Sequence, residues 1–213
     1  MPPCRKFADG TDFYTLPILT GTDVALGDSF DIANYLQETF PDAGAGDLFP
    51  PLELDFPCPG SSLVPLSEHK GNLHADYARF NSNVDMAFSV HAQLMVHMPW
   101  DPAVVDEIKA EFVRRAGVAT WDDIEIRGMA RQELKKSLQD SLRDLATLLQ
   151  RDTSGPFILG DQACYADIII GAWLRMLSKA MPEKEWHEVQ TQWYDGIFGA
   201  LHVALQHRFG EVK

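Results

Sequence analysis

Pro17 is the first residue whose type is out of place, because it interrupts the apolar run of residues 16–19. Proline has no N–H to donate and disrupts a central β-strand. Three explanations are open: an edge strand, a β-bulge, or a cis peptide bond between Leu16 and Pro17. From these residues alone the edge strand is favoured. A cis bond would turn the backbone N–H and C=O of Leu16 outward, where they could pair with a bound peptide.

A second pair of polar residues, Asp28 and Ser29, follows two short apolar runs at residues 14–19 and 24–26. The Thr-Gly-Thr-Asp stretch between the runs favours a tight turn and predicts a β-hairpin. Asp28 and Ser29 are helix N-cap residue types, and apolar residues at helical spacing follow them up to Pro41. Capping of that helix is enough to explain why Asp28 and Ser29 occur here, without any binding role. The N–H groups at a helix N-terminus would also suit a carboxylate ligand.

Other patterns that could carry chemistry are weak. The cysteines Cys4, Cys58 and Cys164 and the seven histidines show no metal-ligand spacing, and we expect the histidines at the surface or at helix ends. The glycine-rich residues 43–47 follow a helix rather than a strand, so they do not predict a phosphate loop. No Ser-His-Asp order with a nucleophile elbow is present. We therefore predict no metal.

Composition limits the class of protein. The 213 residues carry a formal net charge of −13, which argues against nucleic acid or an anionic membrane as the main partner. Hydrophobic residues make up 46% of the chain, which is ordinary for a globular protein. Three cysteines suit a reducing compartment better than a disulfide framework, and no secretory signal or membrane span is visible. A cytoplasmic protein is expected.

The chain divides into a small mixed part and a helical part. We predict an α/β segment at residues 1–50, a linker rich in Pro, Gly and Asp at residues 51–66, and an all-α bundle at residues 67–213. The spacing of apolar residues predicts helices over residues 73–98, 101–115, 127–151, 165–180 and 186–205.

Three motifs, in this order along the chain, carry a resemblance. They are Leu16-Pro17 with Asp28-Ser29 after the hairpin, Leu-Phe-Pro-Pro at residues 48–51, and the Gly-Pro-Phe-Ile-Leu-Gly-Asp stretch that leads to Asp167. Together they resemble the cytosolic glutathione transferase family across nearly the whole chain. The helical half looks most like the fungal-specific class A transferases, which in turn resemble the bacterial lignin β-etherases.

The resemblance implies a partial thioredoxin-like domain, built of a hairpin plus a helix, followed by the all-α bundle. It implies that Pro17 is cis and that the Leu16 backbone pairs with the cysteinyl part of glutathione, the cosubstrate. Asp28 and Ser29 would hold the γ-glutamyl end. It also implies a homodimer.

The sequence departs from the family at its start. Family members have a strand, a helix and a second strand before the cis-proline, and a Ser, Cys or Tyr after the first strand stabilises the glutathione thiolate. Residues 1–13 have room only for the last turns of a second helix, so we expect no match for that residue and assign no catalytic residue. A truncated gene model, a deliberate fragment and a loss of the chemistry are three accounts, and the first is favoured.

A second departure is Cys164, where the family has Ser or Thr. With Asp167 it would form a capping box at a helix N-terminus, but a thiol is a weak acceptor. We expect a loss of about 1 kcal/mol of helix stability relative to serine. Both residues are expected to be structural.

The second substrate implied by the resemblance is a hydrophobic electrophile. Tyr77, Phe80, Met98 and Trp100 are the candidates to line its site, although such residues at helical spacing more often belong to a core. The complete protein would conjugate glutathione to the electrophile or cleave an ether by thiolate attack, as in detoxification or secondary metabolism. The alternatives are a non-catalytic binding protein for hydrophobic small molecules or glutathione conjugates, and a helical interaction module.

Overall fold

The computed structural model describes residues 5–6, 12–13, 16–44, 46–58 and 73–210. Its elements in chain order are β1 (Arg5–Lys6), β2 (Asp12–Phe13), β3 (Ile18–Thr20), β4 (Ala25–Gly27), α1 (Ser29–Thr39), α2 (Ala75–Ser89), α3 (Val105–Ala116), α4 (Gly128–Ser141), α5 (Arg143–Leu149), α6 (Tyr165–Ala180), α7 (Glu183–Thr191) and α8 (Ile197–Phe209). Three short 3-10 turns lie at Ala92–Met95, Trp121–Asp123 and Trp193–Gly196.

Among the described residues the strands form two separate antiparallel pairs. Strands β1 and β2 pair with Arg5 opposite Phe13, so these four residues lie in strands rather than in a helix, and the other residues of the segment 1–13 lie outside the described residues. Strands β3 and β4 form the predicted hairpin, with Ile18 opposite Gly27. The Gly21 N–H donates to the Val24 carbonyl at 2.8 Å and closes the turn.

Helix α1 joins the hairpin to the helical part. It begins directly after Asp28, contacts both β3 and β4, and buries Phe30 and Ala33. The Phe30 ring packs edge-on against Phe49 with ring centroids 5.9 Å apart. The apolar face of this short helix is thereby covered by the extended segment that follows it.

Helix α6 is the centre of the bundle. Its residues Ile170, Leu174 and Leu177 have no measurable exposure, and α2, α7 and α8 contact it. Gly171 permits the close approach of α8, because a Cβ at this position would lie 2.1 Å from a methyl carbon of Leu205. The prediction that this apolar helix is the buried one is confirmed.

The predicted helix over residues 73–98 is wrong in its second half. Helix α2 ends at Ser89, and the chain continues as a 3-10 turn at Ala92–Met95. The reason is a side chain: Nδ1 of His91 donates to the Ala87 carbonyl at 2.7 Å and satisfies one of the last carbonyl groups of the helix. The periodic burial of apolar residues continues through the break, with Leu94 fully buried, so the pattern alone did not reveal it.

Two other predicted helices are also divided. The segment 127–151 breaks at Leu142, whose backbone (φ −90°, ψ 3°) leaves the helical region and separates α4 from α5. The last predicted helix breaks at Tyr194 and Asp195, both of which have positive φ angles. In each case the apolar spacing continues across the break in the helix.

Residues 51–58, in the first part of the predicted linker, form an extended strand-like path without regular pairing. Leu54 and Phe56 on this path are buried in the core, and the Phe56 carbonyl accepts a hydrogen bond from Asn83 of α2 at 2.7 Å. The rest of the linker lies outside the described residues. A hairpin with one covering helix, followed by a mostly helical domain, is the predicted architecture and is confirmed.

Candidate functional site

The peptide bond between Leu16 and Pro17 is cis, as the resemblance implies, and Leu16 is 79% exposed. Ile18 lies opposite Gly27 in the hairpin, so continuing the register by one residue places Pro17 across from Asp28. Leu16 and Ser29 therefore lie at the same end of the hairpin. Two parts of the predicted glutathione site, distant in sequence, are brought together by strand pairing.

Asp28 holds the N-terminus of α1. Its backbone has φ 70° and ψ 123°, a conformation that non-glycine residues rarely adopt, and its carboxylate accepts the Phe30 N–H at 2.9 Å. A short acidic side chain that bonds its own backbone tolerates positive φ better than most. Strain of this kind is concentrated at functional sites in proteins, where the surrounding structure holds it in place.

Ser29, the first residue of α1, is exposed, whereas Tyr165 at the start of α6 is buried. Burial raises the pKa of Tyr165 to about 12; the negative charges of Asp28 and Asp31 also raise it, and the Ser29 side chain lowers it. The phenol is therefore protonated at neutral pH. The sequence reasoning did not single out Tyr165, although it lies inside the third motif, immediately after Cys164.

Tyr165 joins the second and third sequence motifs and packs against Phe30, the residue that follows the first. Its backbone N–H donates to the Leu48 carbonyl at 2.8 Å, and its ring centroid lies 5.1 Å from that of Phe49 and 5.9 Å from that of Phe30. Phe49 also packs against Tyr77 at 5.2 Å. This aromatic cluster fixes the N-terminus of α1 against the helical domain.

The capping box at Cys164 and Asp167 forms. The Asp167 carboxylate accepts the Cys164 N–H at 2.8 Å and the Ile158 N–H at 2.9 Å, and the thiol faces the Asp167 N–H. Neither side chain has any exposure. Burial raises the pKa of the Cys164 thiol to about 12, and it also raises the pKa of Asp167. Such a protonated, enclosed thiol is inert, which fits a structural position.

The four predicted residues of the hydrophobic substrate site lie in different surroundings. Tyr77 and Phe80 are buried in the core, and the Tyr77 hydroxyl donates to the Pro50 carbonyl at 2.8 Å. In this conformation packing accounts for both. Met98 and Trp100 are half-buried in the extended stretch after the 3-10 turn, and the buried Nε1 of Trp100 has no hydrogen-bond partner among the described residues. For these two the substrate role stays a prediction.

An apolar groove of about 330 Å³ lies between α1 and the helical domain. Leu36 of α1 and Phe40, the residue directly after α1, form one wall, and Ile168 and Phe209 form the other, all four partly exposed. The volume falls within the range of small-molecule sites. None of the four residues predicted for the substrate site lines this groove.

The remaining candidates give no catalytic centre. Within residues 5–6, 12–13, 16–44, 46–58 and 73–210, no cluster of His, Cys, Asp and Glu could hold a metal ion, and no helix is both long and apolar enough to cross a membrane. Cys4 lies outside the described residues. His91 lies at a helix end, as expected, but it is buried, because its ring bridges α2 and α4: Nδ1 donates to the Ala87 carbonyl and Nε2 lies 3.0 Å from the Ser137 hydroxyl.

Comparison with known proteins shows that glutathione S-transferases share this fold. Residues 79–207 match the family described as "Glutathione S-transferase, C-terminal domain". The glutathione S-transferase CsGST63524 of Ceriporiopsis subvermispora, solved in complex with glutathione, superposes with a TM-score of 0.75 at 23% identity, over 99% of this chain and 77% of that one. CsGST83044 of the same organism, also with glutathione, gives 0.70 at 22% identity, over 94% and 74%. GSTFuA3 of Phanerochaete chrysosporium gives 0.71 at 18% identity, over 100% and 77%. Comparison with curated protein sequences found no match.

The family match covers more than half of the chain. The chain therefore belongs to the glutathione S-transferase family, whose C-terminal domain it carries.

Proposed function

We propose that the chain binds glutathione at the end of the hairpin and transfers it to a hydrophobic electrophile. The observation that carries the proposal is that the exposed residue Leu16 lies at the same end of the hairpin as Asp28 and Ser29 at the N-terminus of α1. A helix N-terminus favours a carboxylate, and a neighbouring aspartate favours an ammonium group. The γ-glutamyl end of glutathione carries both groups on one carbon atom.

Each residue has a distinct task in this site. The α1 N–H groups and the Ser29 hydroxyl donate to the γ-glutamyl carboxylate, while Asp28 attracts the ammonium group. The Leu16 N–H and C=O pair with the cysteinyl backbone and so orient the thiol. Such orientation accelerates the attack on an electrophile by making it effectively unimolecular. The group that stabilises the thiolate is not assigned among the described residues.

The finer class follows from the same resemblance. We propose a fungal-specific class A transferase, related to the β-etherases, that acts in the cytoplasm as a homodimer. The similar structures from Ceriporiopsis subvermispora and Phanerochaete chrysosporium, which are fungal transferases, support the fungal origin.

Isothermal titration of the full chain with glutathione tests the proposal through Asp28→Asn. Asparagine keeps the cap on the Phe30 N–H and tolerates positive φ, so the fold is retained while the charge is lost. A charged hydrogen bond contributes about 1.5–3 kcal/mol, so we expect Kd to rise at least about tenfold. Asp23→Asn makes the same change of charge in the exposed turn at the other end of the hairpin and should leave Kd unchanged. Equal affinity in both variants would refute the assignment.

A non-catalytic binding protein is the second candidate, and the apolar groove beside α1 favours it. Turnover of a chlorodinitrobenzene with glutathione separates the two functions. A measurable rate above the uncatalysed reaction, lowered in Asp28→Asn, supports the transferase. Displacement of a fluorescent hydrophobic probe without turnover supports binding alone.

A further inference from the structure

We propose that Ser137, an exposed residue of α4, is a nucleophile that accepts an acyl group from an activated ester, with His91 as its general base. Two hydrogen bonds carry the proposal. Nε2 of His91 lies 3.0 Å from the Ser137 hydroxyl, and Nδ1 of the same ring lies 2.7 Å from the Ala87 carbonyl. A nucleophile within hydrogen-bond reach of a base that a third group orients is the arrangement of nucleophilic catalysis. Neither residue belongs to the proposed glutathione site, so the two proposals are independent.

The proton positions follow from the partners of the ring. A carbonyl oxygen can only accept, so Nδ1 of His91 carries a proton and donates to the Ala87 carbonyl. Burial lowers the pKa of His91, so the ring is neutral at pH 7 and Nε2 keeps its lone pair. The Ser137 hydroxyl therefore donates to Nε2. This is the direction that a general base needs in order to take the serine proton.

The Ser137 hydroxyl differs from the other hydroxyl groups within helices. It bonds the ring of His91, which follows α2, and not a carbonyl group of its own helix. His91 is only 4% exposed, whereas Ser137 is exposed, so the base is enclosed and the nucleophile is open to solvent. Hydroxyl groups that instead donate to a carbonyl three or four residues earlier in their own helix are those of Ser82, Ser141, Thr147, Ser178 and Thr191.

The reaction is the transfer of one acyl group. Oγ of Ser137 attacks the ester carbonyl carbon and forms an O–C bond, while its proton passes to Nε2 of His91. The bond from that carbon to the leaving oxygen breaks, and the leaving group departs with the electron pair and takes up the proton from the imidazolium.

The position of Ser137 limits the class of acyl donor. It lies within α4 (Gly128–Ser141), where the helix uses the backbone N–H groups, so they cannot form an oxyanion hole. The donor must therefore have a good leaving group, and the acyl-serine should accumulate rather than turn over. The net charge of −13 favours a neutral donor over an anionic one. A neutral aryl ester meets both conditions.

Treatment of the full chain with p-nitrophenyl acetate, followed by mass spectrometry of its peptides, tests the proposal. Ser82 is the internal control, because it is also an exposed helical serine but donates to the Ala78 carbonyl at 3.1 Å. A general base contributes about 10²–10⁴-fold, so Ser137 should be acetylated at least about a hundredfold faster than Ser82. Alkaline hydroxylamine removes an acetyl ester from serine and leaves an acetyl amide on a lysine such as the adjacent Lys136.

Variants separate the roles of the two residues. Ser137→Ala should lose the hydroxylamine-sensitive acetyl group, and His91→Gln should slow acetylation of Ser137 about a hundredfold. His207→Gln, at an exposed histidine, is the matched control and should react like the unaltered chain. Equal rates at Ser137 and Ser82, or an unchanged rate in His91→Gln, would overturn the proposal. If His91→Gln does not fold, the comparison of the two serines in the unaltered chain still decides. Continued nitrophenol release that depends on Ser137 would contradict a stable acyl-serine.

Discussion

Replacing Asp167 with alanine should destabilise the protein more than any loss of a surface carboxylate. The Asp167 side chain has no exposure and accepts two buried backbone N–H groups, those of Cys164 and Ile158, at 2.8 and 2.9 Å. Each N–H left without a partner costs about 1–3 kcal/mol, so alanine should cost about 2–6 kcal/mol. An asparagine side chain would keep one acceptor oxygen, and we expect Asp167→Asn to cost about half as much.

Thermal and urea unfolding, followed by circular dichroism, measure this loss. For a chain of this size each kcal/mol lowers the melting temperature by about 2–4 °C, so Asp167→Ala should melt about 5–20 °C lower. Asp42→Ala, in an exposed turn after α1, is the control and should melt within about 2 °C of the unaltered protein. If the two alanine variants unfold within about 1 kcal/mol of each other, the argument from orphaned N–H groups is wrong.

Two further predictions concern stability. Cys164→Ser should raise the melting temperature, because a serine oxygen accepts the N–H at the third position of α6 better than the thiol and adds about 1 kcal/mol; a lower melting temperature would show that the packing of sulfur matters more. Burial lowers the pKa of His91, so the native state binds its proton less tightly than the unfolded chain. The free energy of unfolding should therefore keep its maximum value above about pH 6.5, the ordinary pKa of histidine. It should fall as the pH drops toward the lowered pKa of His91 in the native state. The dependence of the unfolding free energy on pH should be weaker in His91→Gln. It should be unchanged in His207→Gln, which alters an exposed histidine of α8.

Local patterns were sufficient for the elements that end by local rules. Helix α1 begins at the predicted cap after Asp28 and ends just before Pro41, and α6 covers residues 165–180 as predicted. Those boundaries depend on capping residues, proline and continuous apolarity, all of which are written in neighbouring positions. The order of the three motifs was likewise enough to indicate the family.

Breaks within the long helices were not predictable in the same way. Helix α2 ends where the His91 side chain bonds the Ala87 carbonyl, and α4 gives way to α5 at Leu142 although the leucine spacing continues. An apolar pattern records which side chains face a core and not whether the helix axis stays straight. Individual hydrogen bonds decide that, as where Nδ1 of His91 donates to the Ala87 carbonyl at 2.7 Å and where the Arg131 guanidinium of α4 donates to the Leu94 carbonyl of the following 3-10 turn at 3.1 Å.

The sequence by itself determined the residue types of the candidate site: a proline in an apolar run, an Asp-Ser pair at a helix start, and an aspartate three residues after Cys164. What the tertiary structure decided is that the first two of these points lie at one end of the hairpin, through the pairing of β3 with β4. It also decided that the ring of Tyr165 packs against Phe30, the residue after Ser29, from a helix that begins 136 positions after Ser29. The physical reason is that capping and turn formation depend on neighbours in the chain, whereas the position of a buried phenol depends on the packing of Phe30 and Phe49 around it.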